Sequence, residues 1–478
     1  MKLSLQKILL ILTLLLMPSF SAKAQDASLD EIIRFEGFNF GFTGNGARAR
    51  GMGNAFLAVS DDITGVGWNP AGIYKIESPI LGLSFGSLRP RGSSSSDKLD
   101  LSGASPAFER ITRNHAGTFG SLNSANLVAP IRIKGHPFVA SASYTRVSNE
   151  YEFSNIEFDQ IQIFLIFNEV GVLIDQDTVI ASIGVISELE GGIDAVNFGF
   201  GTRLSGNFAL GISLNIYGGA VQRHTNFLVT GDNVPVNNFQ NGFSETSIVS
   251  ADSSGFGGFN FTIGFKHDGE RFDAGLVIKT PFSLSQKSLN FTSAVVKVND
   301  VVSFTDTTIT IDLLTKYEIP VIVGFGIGYN VSDSWLLALD AEYRHFSAQQ
   351  IKIRQNITLV PGADNIEEFL ILSEQQWQWS NVFILRAGTE YLNETGIGTI
   401  PFRAGIGYVP VPTPDTDING VRSTAVGYEF SLGTGIHWEQ IKLDLAYNYS
   451  TLSLERLGFA AQSNNKNHFL TASFTGYF

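Results

Sequence analysis

Ile441-Lys442-Leu443-Asp444-Leu445-Ala446-Tyr447-Asn448-Tyr449-Ser450, near the carboxyl end, decides how the rest of the chain is read. Side chains of an extended strand point alternately to two faces. Ile441, Leu443, Leu445, Tyr447 and Tyr449 therefore share one side, and Lys442, Asp444, Ala446, Asn448 and Ser450 the other. The last residues repeat the pattern, with Leu470, Ala472, Phe474, Gly476 and Phe478 opposing Thr471, Ser473, Thr475 and Tyr477. Trp335, Leu337, Leu339, Ala341 and Tyr343 likewise oppose Leu336, Ala338, Asp340, Glu342 and Arg344. Aromatic residues stand at the ends of these stripes. A sandwich in water alternates too, but aromatics at strand ends are what a barrel in lipid needs at its two interfaces.

Working outward, segments of this kind fall near 80–87, 122–132, 138–147, 192–204, 208–222, 256–266, 272–283, 320–330, 335–346, 380–391, 399–409, 425–437, 441–452 and 467–478. That is about fourteen, an even number, as closure of an antiparallel barrel prefers. Short turns at 134–137, 205–207, 267–271, 331–334 and 438–440 alternate with long segments at 148–191, 223–255, 284–319 and 347–379. Short on one side and long on the other is the asymmetry of an outer-membrane barrel. The sequence therefore predicts an all-β transmembrane antiparallel barrel over 80–478, with 284–319 long enough to hide further strands.

Composition agrees. The 478 residues include 49 Gly and 38 Phe but no Cys, are 44% hydrophobic and only 16% charged, and carry a formal net charge of −13. Apolar surface is spread thinly rather than collected in the runs of about twenty residues that membrane helices require. The absence of cysteine removes disulfides, thiolate zinc sites, thiol catalysis and cysteine lipidation. At the start, Lys2 and Lys7 precede an apolar stretch from Ile8 to Met17, and Ala22-Lys23-Ala24 offers small residues to a signal peptidase. Ten helical residues rise only about 15 Å, half of a roughly 30 Å hydrocarbon core, so 1–24 reads as a cleaved signal peptide rather than an anchor. Cleavage removes three lysines and no acids, leaving 29 basic against 45 acidic residues, a surface that repels nucleic acid.

Residues 25–79 do not alternate. They are rich in Gly and Ala, and they lead through Ser60-Asp61-Asp62 to a tight turn at Trp68-Asn69-Pro70-Ala71-Gly72. A barrel of fourteen strands is wide enough to leak unless it is filled, so this segment reads as a hatch, or plug, in the lumen. An exposed periplasmic tail would be richer in charge and poorer in Phe, Ile and Trp.

Gly46-Ala47-Arg48-Ala49-Arg50-Gly51-Met52-Gly53-Asn54-Ala55-Phe56, followed by Asp61-Asp62 and Trp68 to Gly72, resembles the amino-terminal hatch of the FadL/TodX family of outer-membrane transporters. The stretches 319–346 and 401–414 resemble that family's carboxyl-terminal strands, whereas 148–319 is similar only in strand spacing. The resemblance implies a fourteen-stranded barrel, a hatch whose motif falls on Asn69, Pro70 and Ala71, and passage of hydrophobic molecules such as long-chain fatty acids or aromatic hydrocarbons. Some secretion-system shuttle proteins resemble the same family, which makes a protein-secretion or surface-attachment partner the alternative.

The chemistry of such passage can be read from the residues as well. Ile161 to Phe167 and Val170 to Ile174 offer greasy landing surfaces, or else pack against other loops. Arg386, Arg403 and Lys442 fall on inward faces and are candidate anchors for a carboxylate. Glu390, Asp340, Glu342 and Asp444 point inward too, so ion pairing within the lumen is the competing reading. Gly82-Leu83-Ser84-Phe85-Gly86 matches a hydrolase pattern but lies on an alternating strand instead of a strand-to-helix turn. Asp415 to Gly420 copies half of a calcium loop, yet its twelfth position is Val426. The seven histidines are scattered. No enzyme, cofactor or metal is expected. The expected partners are a hydrophobic small molecule and outer-membrane lipid.

Overall fold

The computed structural model describes residues 45–100, 107–167, 173–233, 243–298, 301–305, 308–348, 350–360, 367–375, 381–416, 422–456 and 461–478. Segment 1–24, residues 25–44 of the amino-terminal segment and residues 417–420 of the calcium-like loop lie outside them. So do 170–172 of the apolar stretches, and the side chains of 161–167.

Twenty strands, numbered in chain order, are present among the described residues. Fourteen form one closed antiparallel circuit. Its first half is β1 (Ile80–Asp100), β3 (Phe119–Ile133), β4 (His136–Phe167), β5 (Leu173–Ser205), β6 (Phe208–Asn233), β7 (Phe243–Asp268) and β8 (Phe272–Lys279). The second half is β12 (Ile322–Ser332), β13 (Trp335–Arg344), β16 (Val382–Thr395), β17 (Gly398–Thr416), β18 (Arg422–His437), β19 (Ile441–Arg456) and β20 (Ala461–Tyr477). The ring closes because β1 pairs with β3 on one edge and with β20 on the other, from Ile80↔Tyr477 to Ser95↔Gln462. Every predicted segment has its wall strand.

Alternation sorts the wall as the sequence predicts. Phe85, Phe198, Ile212, Phe261, Leu339, Phe383, Leu432 and Leu445 are exposed on the outside, while Asn126, Ser143, Asn197, Asn215, Asp340, Arg403 and Asn448 are buried. The exposed apolar band is the surface that lipid covers. Backbone closure also includes the chain end, where the Phe478 N–H donates to the Pro79 carbonyl at 3.0 Å. Deleting Phe478 removes that bond and the last interfacial ring, and is expected to lower the fraction of chain that runs as a folded, heat-modifiable band. An unchanged fraction would show that closure does not depend on it.

The long segments differ from the expectation that they are loops. Residues 148–167 and 173–191 continue β4 and β5 as a ladder that runs out to Phe167↔Leu173, and 223–233 and 243–255 continue β6 and β7. Lys287 to Val298 of β9 (Phe282–Val298), β10 (Val301–Thr305), β11 (Thr308–Ile319), β14 (Gln350–Val360) and β15 (Glu367–Gln375) fill the remaining long segments, and β2 (Ala107–Ala116) pairs with the far half of β1. Around Ser148 to Glu152 polar residues stand at successive positions, so the hydropathy alternation lapses while the backbone ladder persists. Proline marks where wall strands break: Pro281 separates β8 from β9, and Pro320 separates β11 from β12. It has no N–H to give a ladder, which favours an interruption at these two positions.

Inside the ring lie residues 45–76. They form two short helices, α1 (Ala47–Gly51) and α2 (Gly65–Trp68), and a 3-10 helix at Pro70–Lys75. Met52, Phe56, Leu57, Trp68 and Ile73 of this segment are among the most deeply buried side chains of the protein. Phe56 and Trp68 meet edge to face at 6.1 Å and pack with Val277 of β8, Ile322 of β12 and Ala338 of β13.

Candidate functional site in the barrel lumen

The tight turn is built from its own residues. Asn69 is extended (φ −140°), and Pro70 opens the 3-10 helix, where its fixed φ suits a first helical position and its missing N–H is no loss. The Asn69 Oδ1 accepts from the Ala71 N–H at 3.0 Å. Its Nδ2 donates to the Leu57 carbonyl within the segment at 3.0 Å and to the Phe265 carbonyl of the wall at 3.1 Å. One amide thus ties the turn to itself, to its own chain and to β7.

The wall makes room for that turn with glycine. Gly201, Gly211 and Gly264 are cross-strand neighbours on β5, β6 and β7. A Cβ on Gly211 would stand 2.1 Å from the Pro70 carbonyl carbon, and one on Gly264 would stand 2.1 Å from Asn69 Oδ1. Two further pairs continue the seat. Gly275 and Gly326 face Leu57 and Ala58, while Gly388 and Gly405 face Met52 and Gly53. A cavity of about 30 Å³, beside Gly46, Thr64, Ser84 and Asn126, lies between segment and wall. It holds little more than a water.

Beside the second and third glycine pairs the contacts are ionic. Asp340 Oδ2 accepts from the Phe56 and Leu57 N–H groups at 2.6 and 2.8 Å. Glu390 pairs with Arg48 of the segment at 2.9 Å and with Arg403 of the wall at 2.6 Å, and Arg403 continues to Asp444 at 2.6 Å. Arg48 also meets Asp61 at 2.6 Å. Burial opposes ionisation of the neighbouring carboxyls of the segment. At Asp62 burial prevails over Arg48 and Thr64, and the group lies above its ordinary range; at Asp61 burial is outweighed by Arg48 together with Lys266 and Lys75, which hold it well below. A depressed carboxyl contributes stability that is present above its unfolded value and lost only as pH falls through the folded one, so this pair is complete at neutral pH. At the short-turn end, Asp268 receives Lys75 at 2.7 Å, Lys266 at 3.2 Å and the Tyr74 hydroxyl at 2.7 Å.

The residues singled out by sequence fall in three places. Asn69, Pro70 and Ala71 are together and buried. Arg386 and Arg403 both face inward, and each already has a carboxylate: Arg386 bonds Glu342 at 2.9 Å, which Arg344 shares at 2.7 Å. Lys442 stands apart near the short turns, with its Nζ 5.1 Å from the centre of the Tyr477 ring. The glycine seat and Arg48 had no local signal, because their significance lies in what they touch from the far end of the chain.

Similar proteins are known by structure. A Pseudomonas aeruginosa FadL homologue superposes with a TM-score of 0.58 at 14% identity, covering 92% of this chain and 100% of that one. The CymD monoaromatic hydrocarbon channel gives 0.53 at 14% identity, covering 92% and 99%, and the Pseudomonas putida toluene transporter TodX gives 0.53 at 12% identity, covering 92% and 100%. The chain has the FadL and TodX barrel fold. The family model described as BamG matches residues 167–366, less than half of the chain. No curated protein sequence matches.

In this FadL-type barrel a second packed layer lies beyond the inner segment. Ile193, Tyr217, Phe282, Leu284, Tyr317, Ile319, Phe346, Val382 and Ile384 form one buried cluster drawn from β5, β6, β9, β11, the turn at Phe346–Ala348 and β16. β5 pairs with β6 and β9 with β11, so the cluster follows one stretch of the paired sheet and takes in Phe346 and β16 beside it. Tyr217 and Phe282 stack at 4.9 Å, and the hydroxyls of Tyr217 and Tyr317 donate to Asn260 at 3.3 Å and to Gln286 at 2.8 Å. The layer is apolar and packed on itself, with a few placed polar atoms.

Proposed function

We propose that this protein is an outer-membrane channel for passive uptake of small hydrophobic molecules, long-chain fatty acids or aromatic hydrocarbons, exported through a signal peptide cleaved after Ala24. Residues 25–79 act as its hatch. The observation that carries the reading is a buried apolar cluster on the inner side of the sheet together with a segment seated on glycine and ion pairs inside the ring. Hydrophobic cargo partitions into the first and passes when the second shifts. Arg386 and Arg403 serve as wall partners of the carboxylates that hold this arrangement together. The similar structures are those of a FadL homologue, a hydrocarbon channel and a toluene transporter, which supports the same cargo class.

The double variant Asn69→Ala, Pro70→Ala tests the hatch. It removes three side-chain hydrogen bonds, each worth about 1 kcal/mol net. We expect slower hydrophobic uptake or a leaky pore, measured as substrate uptake and single-channel conductance per folded barrel, with barrel abundance nearly unchanged. If transport and conductance stay the same, the hatch role fails.

A second reading, an outer-membrane partner of a secretion or surface-attachment system, is favoured by the reach of the wall. β4 and β5 run 32 and 33 residues, where about 9–11 cross a bilayer. Copurified lipid or hydrocarbon in extracted protein, identified by mass spectrometry, supports transport; a copurified secreted protein supports the partner reading.

A further inference from the structure

The hatch carries three cations among its described residues, and two of them have carboxylates. Arg48 pairs with Glu390 and Asp61, and Lys75 with Asp268. Arg50 forms no ion pair with a described residue. Its Nη2 donates to Asn45 Oδ1 at 2.8 Å, its guanidinium lies 5.1 Å from the centre of the Phe469 ring, and its buried Nε has no acceptor. Buried donors are nearly always satisfied, so an orphaned guanidinium N–H marks a place where an acceptor is missing. The Nε and Nη2 donors form one planar edge, which matches the two oxygens of a carboxylate.

The position suits a ligand arriving from outside. Phe469 pairs with Asn448, which is four residues farther from the short-turn end than Asp444, so Arg50 faces the long-strand side of the Arg48 network. The wall cations Arg386 and Arg403 also leave one N–H each without an acceptor, at Nε and Nη2, but their charges are already met by Glu342, Glu390 and Asp444. An incoming carboxylate would have to break those pairs, whereas at Arg50 it would displace only the neutral Asn45 amide oxygen, with the Phe469 ring beside it for the alkyl chain. Glu429 of β18 acts on Arg50 at longer range and takes the Asn54 Nδ2 at 3.4 Å.

We propose that Arg50 is the receptor for the carboxylate of an amphiphilic cargo, a binding site carried by the hatch itself. This rests on the uptake reading above. Occupation would remove the Nη2 bond to Asn45, whose own Nδ2 donates to the Arg146 carbonyl of the wall, so that arrival of cargo is felt where the hatch joins β4.

Equilibrium binding of dodecanoate and of 1-dodecanol to the full chain in neutral detergent tests this. Arg50→Gln should weaken dodecanoate about ten- to hundredfold, the loss of a charge-assisted pair, while leaving dodecanol unchanged, and Arg50→Lys should restore part of the loss. Heat-modifiable mobility verifies that each variant is folded. Equal weakening of both ligands would show a merely structural arginine, and unchanged dodecanoate binding would also overturn the receptor while leaving uptake intact. If neither ligand binds or is taken up by the unaltered protein, the uptake reading itself fails.

Discussion

Gly211→Val leaves the barrel folded and opens it. Valine is at home in a strand, and the β6 backbone at this position keeps its partners Gly201 and Gly264. Inside, however, the new Cβ would lie 2.1 Å from the Pro70 carbonyl carbon and 2.2 Å from the Ala71 nitrogen. Those are main-chain atoms of a turn that cannot rotate aside, so the whole turn must leave its seat. Single-channel conductance should rise severalfold, and cells should become sensitive to large polar antibiotics, with the heat-modifiable band near its normal abundance. Gly218→Ala is the control in the same strand, because nothing lies within 4 Å of its Cβ position. A folded Gly211→Val barrel that conducts like the control would show that the turn does not seal the lumen.

The second large effect is expected at Glu390. Its two oxygens hold Arg48 and Arg403, and its side chain is only 5% exposed. Removing one partner of a buried ion cluster strands the others, at about 3–5 kcal/mol. Glu390→Ala should therefore lower the temperature at which the folded band is lost and expose the segment around Arg48 to protease. Glu390→Gln, which keeps an acceptor in place, should do less. Asp340→Leu should resemble Glu390→Ala, since it orphans the buried Phe56 and Leu57 N–H groups, each at about 1–3 kcal/mol. Melting and protease patterns equal to the unaltered protein would mean that the ionic arc carries no part of the seat.

These two sites differ in how much of them sequence shows. The fourteen wall strands are legible because lipid imposes a rule on every second residue, and Leu443, Leu445 and Tyr447 obey it without reference to anything else in the chain. The inward set of Asp340, Glu342, Arg386, Glu390, Arg403 and Asp444 follows from the same rule. What it cannot supply is the pairing. Arg386 reads equally as a ligand anchor and as an ion-pair partner until the register of β13 against β16 brings the Glu342 carboxylate, diagonally across the two strands, to 2.9 Å from it. The long segments fail for the opposite reason: around Ser148 to Glu152 polar residues occupy both faces, so a ladder that continues in hydrogen bonds has no signature in hydropathy. Gly211 is one of 49 glycines, and only the approach of Pro70 distinguishes it.

The same distances along the chain govern how the molecule is made. The α1 helix meets its wall through residues that follow it by hundreds of positions: the Ala47 N–H donates to Ser473, 426 residues later, and Arg48 reaches Glu390, 342 residues later. Contacts of such sequence separation are entropically expensive and form late. The strands that supply them, β16 to β20, are also the last to be synthesised, and β20 must find β1 before the ring exists. The first stretch of this structure to leave the ribosome is thus among the last to become fixed. A chain delayed at that step is a cylinder whose inner segment has not yet been seated, so assembly of the wall and ordering of its contents finish together.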